Sequence, residues 1–258
     1  MSPLETFLVS RFIIFTLVLA RISGLMLTAP VFNSLGLPRQ VRVFLALAMS
    51  LLVTPVYLGT SLPPVTQLAS YAHLMANEVL VGLLLGLGVS ILFAGVQIAG
   101  QIVSQISGVS LADVFNPGFD ENISVFSHLF YLMTLAVFVA IGGHREMTAA
   151  LLDTFVWAPP GHAVLGESFV EVLTSLMSQS FALGVRASAP ILIALSLATL
   201  VLGLVSRTMP QLNVLVVGFG LNSLLTIAMT MLALGAVAWT FQGPILDAIF
   251  DVLQSLPQ

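Results

Sequence analysis

The sequence predicts an all-α fold, a polytopic membrane protein built of long hydrophobic helical hairpins. Two observations carry this prediction. The 258-residue chain is 58% hydrophobic and only 7% charged, with a mean hydropathy of +1.10. A soluble domain carries roughly 25% charged residues to keep its surface wet. The stretches free of Asp, Glu, Lys and Arg are also long: 43–77, 79–112, 122–144, 187–206 and 208–246. A helix needs roughly 20 apolar residues to cross a hydrocarbon layer. Because the apolar runs are continuous rather than alternating, a strand barrel is disfavoured.

Six hydrophobic helical units follow in order. The first lies near 7–29. Its apolar run 12–20 sits between Arg11 and Arg21, Glu5 stands where a signal peptide would be basic, and no small-residue cleavage site follows, so it reads as a retained helix. The second, near 41–58, opens after the turn-rich 33–38 and closes at Pro55, Gly59 and Pro63-Pro64. The third, 71–112, exceeds one crossing and is expected to break or to extend beyond the membrane plane; Asn116-Pro117-Gly118 ends it. The fourth lies near 123–142, and the polar stretch 143–167, with Pro159-Pro160-Gly161, reads as a connection. The fifth and sixth lie near 168–205 and 212–241. No linker, charge shift or internal repeat divides the chain, so 1–258 is expected to form a single membrane-embedded domain.

Composition excludes several chemistries. There is no cysteine, hence no disulfide framework and no thiolate metal site. All seven basic residues are arginines, which removes Lys-based Schiff-base chemistry and a lysine-rich nucleic-acid patch. His73, His128, His144 and His162 share no helical i, i+3 or i+4 spacing, so metal or haem ligation is not expected. Ser107 or Ser110 with His128 or His144 would be needed for a membrane hydrolase, but 106–110 is Ile-Ser-Gly-Val-Ser and lacks the nucleophile turn. With six crossings, the positive-inside rule places Arg39, Arg42 and Arg207 in the cytoplasm, opposite Arg145; the acidic 113–122 loop on the same side weakens that assignment.

The remaining polar residues carry the information. Gly82, Gly86, Ser90 and Ala94 line one helix face, which fits close intramembrane packing or, less simply, a gating surface. Gln97, Gln101 and Gln105 recur every four residues; three amides are costly towards lipid, so they face a water-filled cavity or a partner, or bond neighbouring helices of the same chain. Arg21, Glu78 and Arg186 are candidate buried charges, flanked by long apolar sequence, for function or for pairing between helices. Arg186 precedes Pro190 by four residues, where a kinked helix frees a carbonyl. Between acids, Phe115, Asn116, Pro117, Gly118 and Phe119 form either a surface loop or an irregular wedge between helices. Arg207, Gln211 and Asn213 interrupt two apolar runs as a hairpin tip, either a partner contact or an interfacial turn.

Several blocks together resemble the FliR family of flagellar biosynthesis proteins, which has relatives in type III secretion injectisomes. Ala29-Pro30 with Arg39 and Arg42, followed by 43–55, is similar to the family's first hairpin. Residues 78–117 are similar to its long central helix and following loop, 142–147 with 153–161 to the next connection, and 202–222 to the C-terminal hairpin. Order and spacing carry the resemblance rather than any single motif, and Val216–Phe219 leans flagellar.

The resemblance implies a non-enzymatic subunit of an export gate in the bacterial inner membrane, without a cofactor. It would assemble with FliP-like and FliQ-like subunits, contact an FlhB-like protein, meet membrane lipid but no nucleic acid, and pass unfolded flagellar proteins. It also implies helical hairpins in a helical assembly that stands largely above the usual membrane plane. A loop after the central helix would reach into the pore; on this chain that loop is 110–122, with Phe115 to Phe119 at its tip. Bulky apolar groups suit a plug that seals by packing and dewetting and yields to a passing polypeptide. The competing readings are an injectisome export gate, a small-solute transporter, which lacks the usual inverted repeat, and an intramembrane hydrolase.

Overall fold

A computed structural model describes residues 3–33, 37–59, 68–109, 124–163, 169–209, 211 and 213–255. Seven α-helices occur among them, with no strand: α1 (Pro3–Thr28), α2 (Arg39–Val53), α3 (Leu68–Ser107), α4 (Val125–Ala140), α5 (Gly143–Trp157), α6 (Phe169–Thr208) and α7 (Val214–Ser255). A 3-10 turn, Thr54–Tyr57, prolongs α2. Five stretches are long and apolar enough to cross a membrane: Leu8–Thr28, Arg39–Tyr57, Leu68–Ser107, Val170–Thr208 and Val216–Ala233. Helices α4 and α5 supply a sixth if taken together as one broken span.

Local chemistry sets the helix boundaries. Helix α3 runs unbroken for 40 residues, about 60 Å at 1.5 Å per residue, against roughly 30 Å of hydrocarbon. The break anticipated within this unit is absent between Leu68 and Ser107; the excess length extends the helix instead. Gly108 ends it in the left-handed conformation (φ 81°). Ser124 caps α4, its hydroxyl oxygen accepting from the Ser127 amide at 3.1 Å. At Gly142, left-handed with φ 78°, α4 gives way to α5. The stretch 143–167 is therefore not wholly a connection, since 143–157 is helical. Its buried positions Met147, Ala150, Leu151, Thr154 and Phe155 follow the helical period, a signal its polar residues mask in composition. Helix α5 ends before Pro159-Pro160, where proline disfavours helical geometry in the preceding residue. Helix α6 tolerates Pro190 within its length, and α7 continues past the anticipated limit at 241, through Pro244, to Ser255.

The chain groups into two compact units. The first comprises 1–91, 142–176 and 245–258, the second 92–141 and 177–244. In the first, Leu17, Ile22, Leu25, Leu85, Met147, Leu151 and Phe155 form a fully buried core. Here α2 and its 3-10 turn pack antiparallel on α1: the Arg42 guanidinium at the start of α2 donates to Asn33 Oδ1 beyond the end of α1 at 2.8 Å. In the second, Leu92, Phe93, Phe130, Phe138, Ile191 and Leu195 are buried, and Phe93 meets Phe138 edge-on with centroids 5.8 Å apart.

Candidate functional site

The polar centre of the first unit is a closed cluster around Arg21 and Glu78. Arg21 sits on α1 and Glu78 on α3, each completely buried. Arg21 Nε donates to Glu78 Oε2 at 2.6 Å. One terminal nitrogen donates to Thr154 Oγ1 of α5 at 3.1 Å and the other to the Ala158 carbonyl at 2.9 Å. The second carboxylate oxygen, Glu78 Oε1, accepts from the Gly161 amide at 2.8 Å. Gly161 is left-handed (φ 89°), which turns that amide back after Pro159-Pro160. The guanidinium carbon also lies 4.2 Å from the centre of the Phe155 ring, a cation–π contact. An isolated buried charge is expensive, but here each charged group is paired and hydrogen-bonded. The arrangement fastens α1, α3, α5 and the turn after α5 to one another, with both charges held inside protein.

Small residues make this approach feasible. A methyl group on Gly82 would collide with the Arg21 backbone, and one on Gly24 with the backbone of Val79 and Leu83. One on Gly86 would strike Thr28 and Ala29. The Thr28 hydroxyl donates to the Leu83 carbonyl at 3.0 Å, and the Ser90 hydroxyl donates to the Thr28 carbonyl. Gly82, Gly86 and Ser90 thus form the packing seam of α3 against α1, whereas Ala94 is exposed.

In the second unit the glutamine face lies beside the start of α4. The Ser127 hydroxyl is 2.7 Å from the Gln97 carbonyl and 3.3 Å from Gln101 Oε1. Gln97 and Gln101 are half-buried and Gln105 is exposed, so bonding between neighbouring helices engages only part of this face. Gly100 permits the contact, because a methyl there would meet the Phe126 carbonyl and Ser127. A second close approach, between Gly95 of α3 and Ser180 and Gly184 of α6, was not anticipated. Gly95 stands outside the four-residue stripe, and Gly184 lies in a distant segment.

The other candidates fall elsewhere. Arg186 lies on the outer face of α6, exposed within this chain, because apolar neighbours in sequence do not specify which face of a helix a residue occupies. Arg207, Gln211 and Asn213 are exposed at the α6–α7 connection. Asn213 caps α7, its Oδ1 accepting from the Val216 amide at 3.4 Å. Phe115, Asn116, Pro117, Gly118 and Phe119 lie outside the described residues. The Ser107 hydroxyl donates to the Ser104 carbonyl at 2.9 Å. Among the described residues, no three His, Asp or Glu side chains are placed to hold a metal ion.

Long apolar helices, small-residue seams and an internally neutralised ion cluster define a polytopic α-helical membrane protein. The family of bacterial export proteins, family 1, matches residues 12–248. The chain belongs to that family, the FliR family. It is 29% identical over 238 residues to the flagellar biosynthetic protein FliR of Escherichia coli, covering 92% of this chain and 90% of that protein. It is 28% identical to FliR of Bacillus subtilis, covering 89% of each, and 27% identical to FliR of Caulobacter vibrioides, covering 87% of this chain and 90% of the other.

Proposed function

We propose that the chain is a structural and gating subunit of the flagellar protein export gate in the bacterial inner membrane. It acts as one membrane-embedded domain, 1–258, with no catalytic step and no cofactor. With FliP-like and FliQ-like subunits it forms the channel for unfolded flagellar proteins, and it contacts an FlhB-like protein. The family match along 12–248 carries this reading, and the relatives' flagellar names favour it over an injectisome gate.

Unequal burial supports a subunit role. Of the most apolar window in α3, 61% is buried within the chain, against 17% in Val170–Thr208 and 22% in both Arg39–Tyr57 and Val216–Ala233. The outer faces of these helices need lipid or sister subunits to cover them. Exposed amides and charges such as Gln105, Arg186, Arg207 and Gln211 are costly towards lipid tails, so they mark subunit contacts or the rim of the gate. Phe115 and Phe119, at the tip of the loop 110–122, supply the apolar plug. Affinity purification of the full chain from membranes in mild detergent tests the assembly. FliP-like and FliQ-like chains should co-purify, and a stable solitary chain that binds a small solute would contradict it.

A further inference from the structure

We propose that the α6–α7 hairpin carries a lipid-facing belt, formed by 187–206 of α6 and the part of α7 level with it. Arg186 and Trp239 mark one edge of the hydrocarbon layer, and Arg207, Gln211 and Asn213 the other. Charge sets the limits on α6. Its charged residues are Glu171, Arg186 and Arg207, so 187–206 is its one charge-free stretch of 20 residues. At 1.5 Å per residue that stretch is about 30 Å long, which matches a hydrocarbon layer. Sliding the window along the helix carries Arg186 or Arg207 inward, towards a cost of about 2.5–3.5 kcal/mol at mid-depth. The outer face of the stretch is apolar, with Ile193, Leu197, Leu200 and Leu204 58–69% exposed. Thr199, also exposed, donates its hydroxyl to the Leu195 carbonyl at 2.8 Å and so needs no water.

Helix α7 gives the same limits independently. A methyl on Gly218 would lie 3.4 Å from Leu202 Cδ1, so these positions are level on two helices that run antiparallel from the connection after Arg207. Arg186 stands 16 residues before Leu202 and Trp239 stands 21 residues after Gly218, about 24 Å and about 31 Å along their helices. Trp239 therefore lies about 7 Å outside the level of Arg186, inside the interfacial layer that adds roughly 5–8 Å to each side of the hydrocarbon. It is 80% exposed, and tryptophan concentrates at that depth. Between the two edges, Leu224, Met231 and Leu232 of α7 are 68–77% exposed. At the far edge Arg207, Gln211 and Asn213 are exposed and polar. Met177, Phe181 and Val185, exposed on α6 on the other side of Arg186, fall outside the belt and need protein cover instead. The proposal needs only that the α6–α7 hairpin crosses the membrane and does not depend on the export reading.

The chain has no cysteine, so each single-cysteine variant carries one spin label. The full chain is labelled at Ile193→Cys, Leu197→Cys or Leu200→Cys and reconstituted in lipid vesicles. Oxygen, which partitions into hydrocarbon, should relax these labels more than a water-soluble nickel chelate does. That lead should be lost at Ser178→Cys, about 12 Å beyond Arg186, and reversed at Gln211→Cys. All five positions are exposed, so the labels displace no core side chain. Nickel ahead of oxygen at Leu200, or oxygen ahead at Ser178 by the margin seen at Leu200, would overturn the proposal. A photo-crosslinking residue at Leu200 should form lipid adducts in native membranes, where any sister subunits are present. Protein adducts there would show that a subunit covers the belt, and would equally overturn it.

Discussion

Arg21 of α1 and Glu78 of α3 meet at 2.6 Å with both side chains fully buried, although 57 positions separate them in sequence. Each also bonds the end of α5 or the turn beyond it. Three helices and one turn therefore share a single charge-neutral contact. Glu78→Gln leaves the Arg21 guanidinium buried without its counter-ion and should destabilise the chain by about 3–5 kcal/mol. Thermal unfolding in detergent measures this. The double variant Arg21→Met, Glu78→Leu should recover most of the loss; a double variant no better than Glu78→Gln would show that the extra hydrogen bonds, and not charge balance, dominate.

Gly82 and Gly203 should respond oppositely to the same change. At Gly82 an added methyl meets the Arg21 backbone, while at Gly203 it meets nothing within 4 Å. Gly82→Ala should cost at least about 1–3 kcal/mol, because backbone cannot yield as a side chain does. Gly203→Ala on exposed α6 should be neutral or stabilising by up to about 1 kcal/mol. Resistance to limited proteolysis distinguishes them, and similar behaviour of the two would refute the seam.

Much of this was legible in the sequence. Charge-free runs located the main helices, and the spacing of Gly82, Gly86 and Ser90 marked a packing face. Periodicity is local, however, and partner choice is not. The pairing of Arg21 with Glu78 and with the Ala158–Gly161 turn depends on segments far apart in sequence. Arg186 has apolar neighbours in sequence, and helical rotation turns it to the outside of this chain, a placement that the neighbours alone do not specify. Helix α5 was hidden because His144, Arg145, Glu146 and Asp153 made its segment read as polar, although its buried face keeps the helical period.

Ser127 separates the internal and external parts of the glutamine face. Ser127→Ala removes the bonds to the Gln97 carbonyl and Gln101 Oε1, a loss of about 0.6–1.7 kcal/mol in membrane helices. Thermal unfolding of the isolated chain should register it. Gln105→Ala, at an exposed site, should leave that stability within about 0.5 kcal/mol of the unaltered chain. It should instead weaken co-purification with the FliP-like and FliQ-like subunits; an unchanged yield of complex would remove Gln105 from the interface.

Arg186→Gln offers a parallel contrast with Arg21. Being exposed within the chain, it should change the isolated chain's stability by no more than about 0.5 kcal/mol. Its effect should surface in the amount of assembled complex recovered from membranes. A large loss of chain stability would mean that Arg186 is engaged internally after all.

Gating is the central claim, and ion permeability of the assembled complex in proteoliposomes tests it most directly. Complexes with the unaltered chain should hold an ion gradient. Complexes lacking 112–120, which include Phe115 and Phe119, should dissipate it, because removing bulky apolar groups rehydrates the constriction. Assembled deletion complexes that hold the gradient as well as the unaltered ones would contradict a gating role.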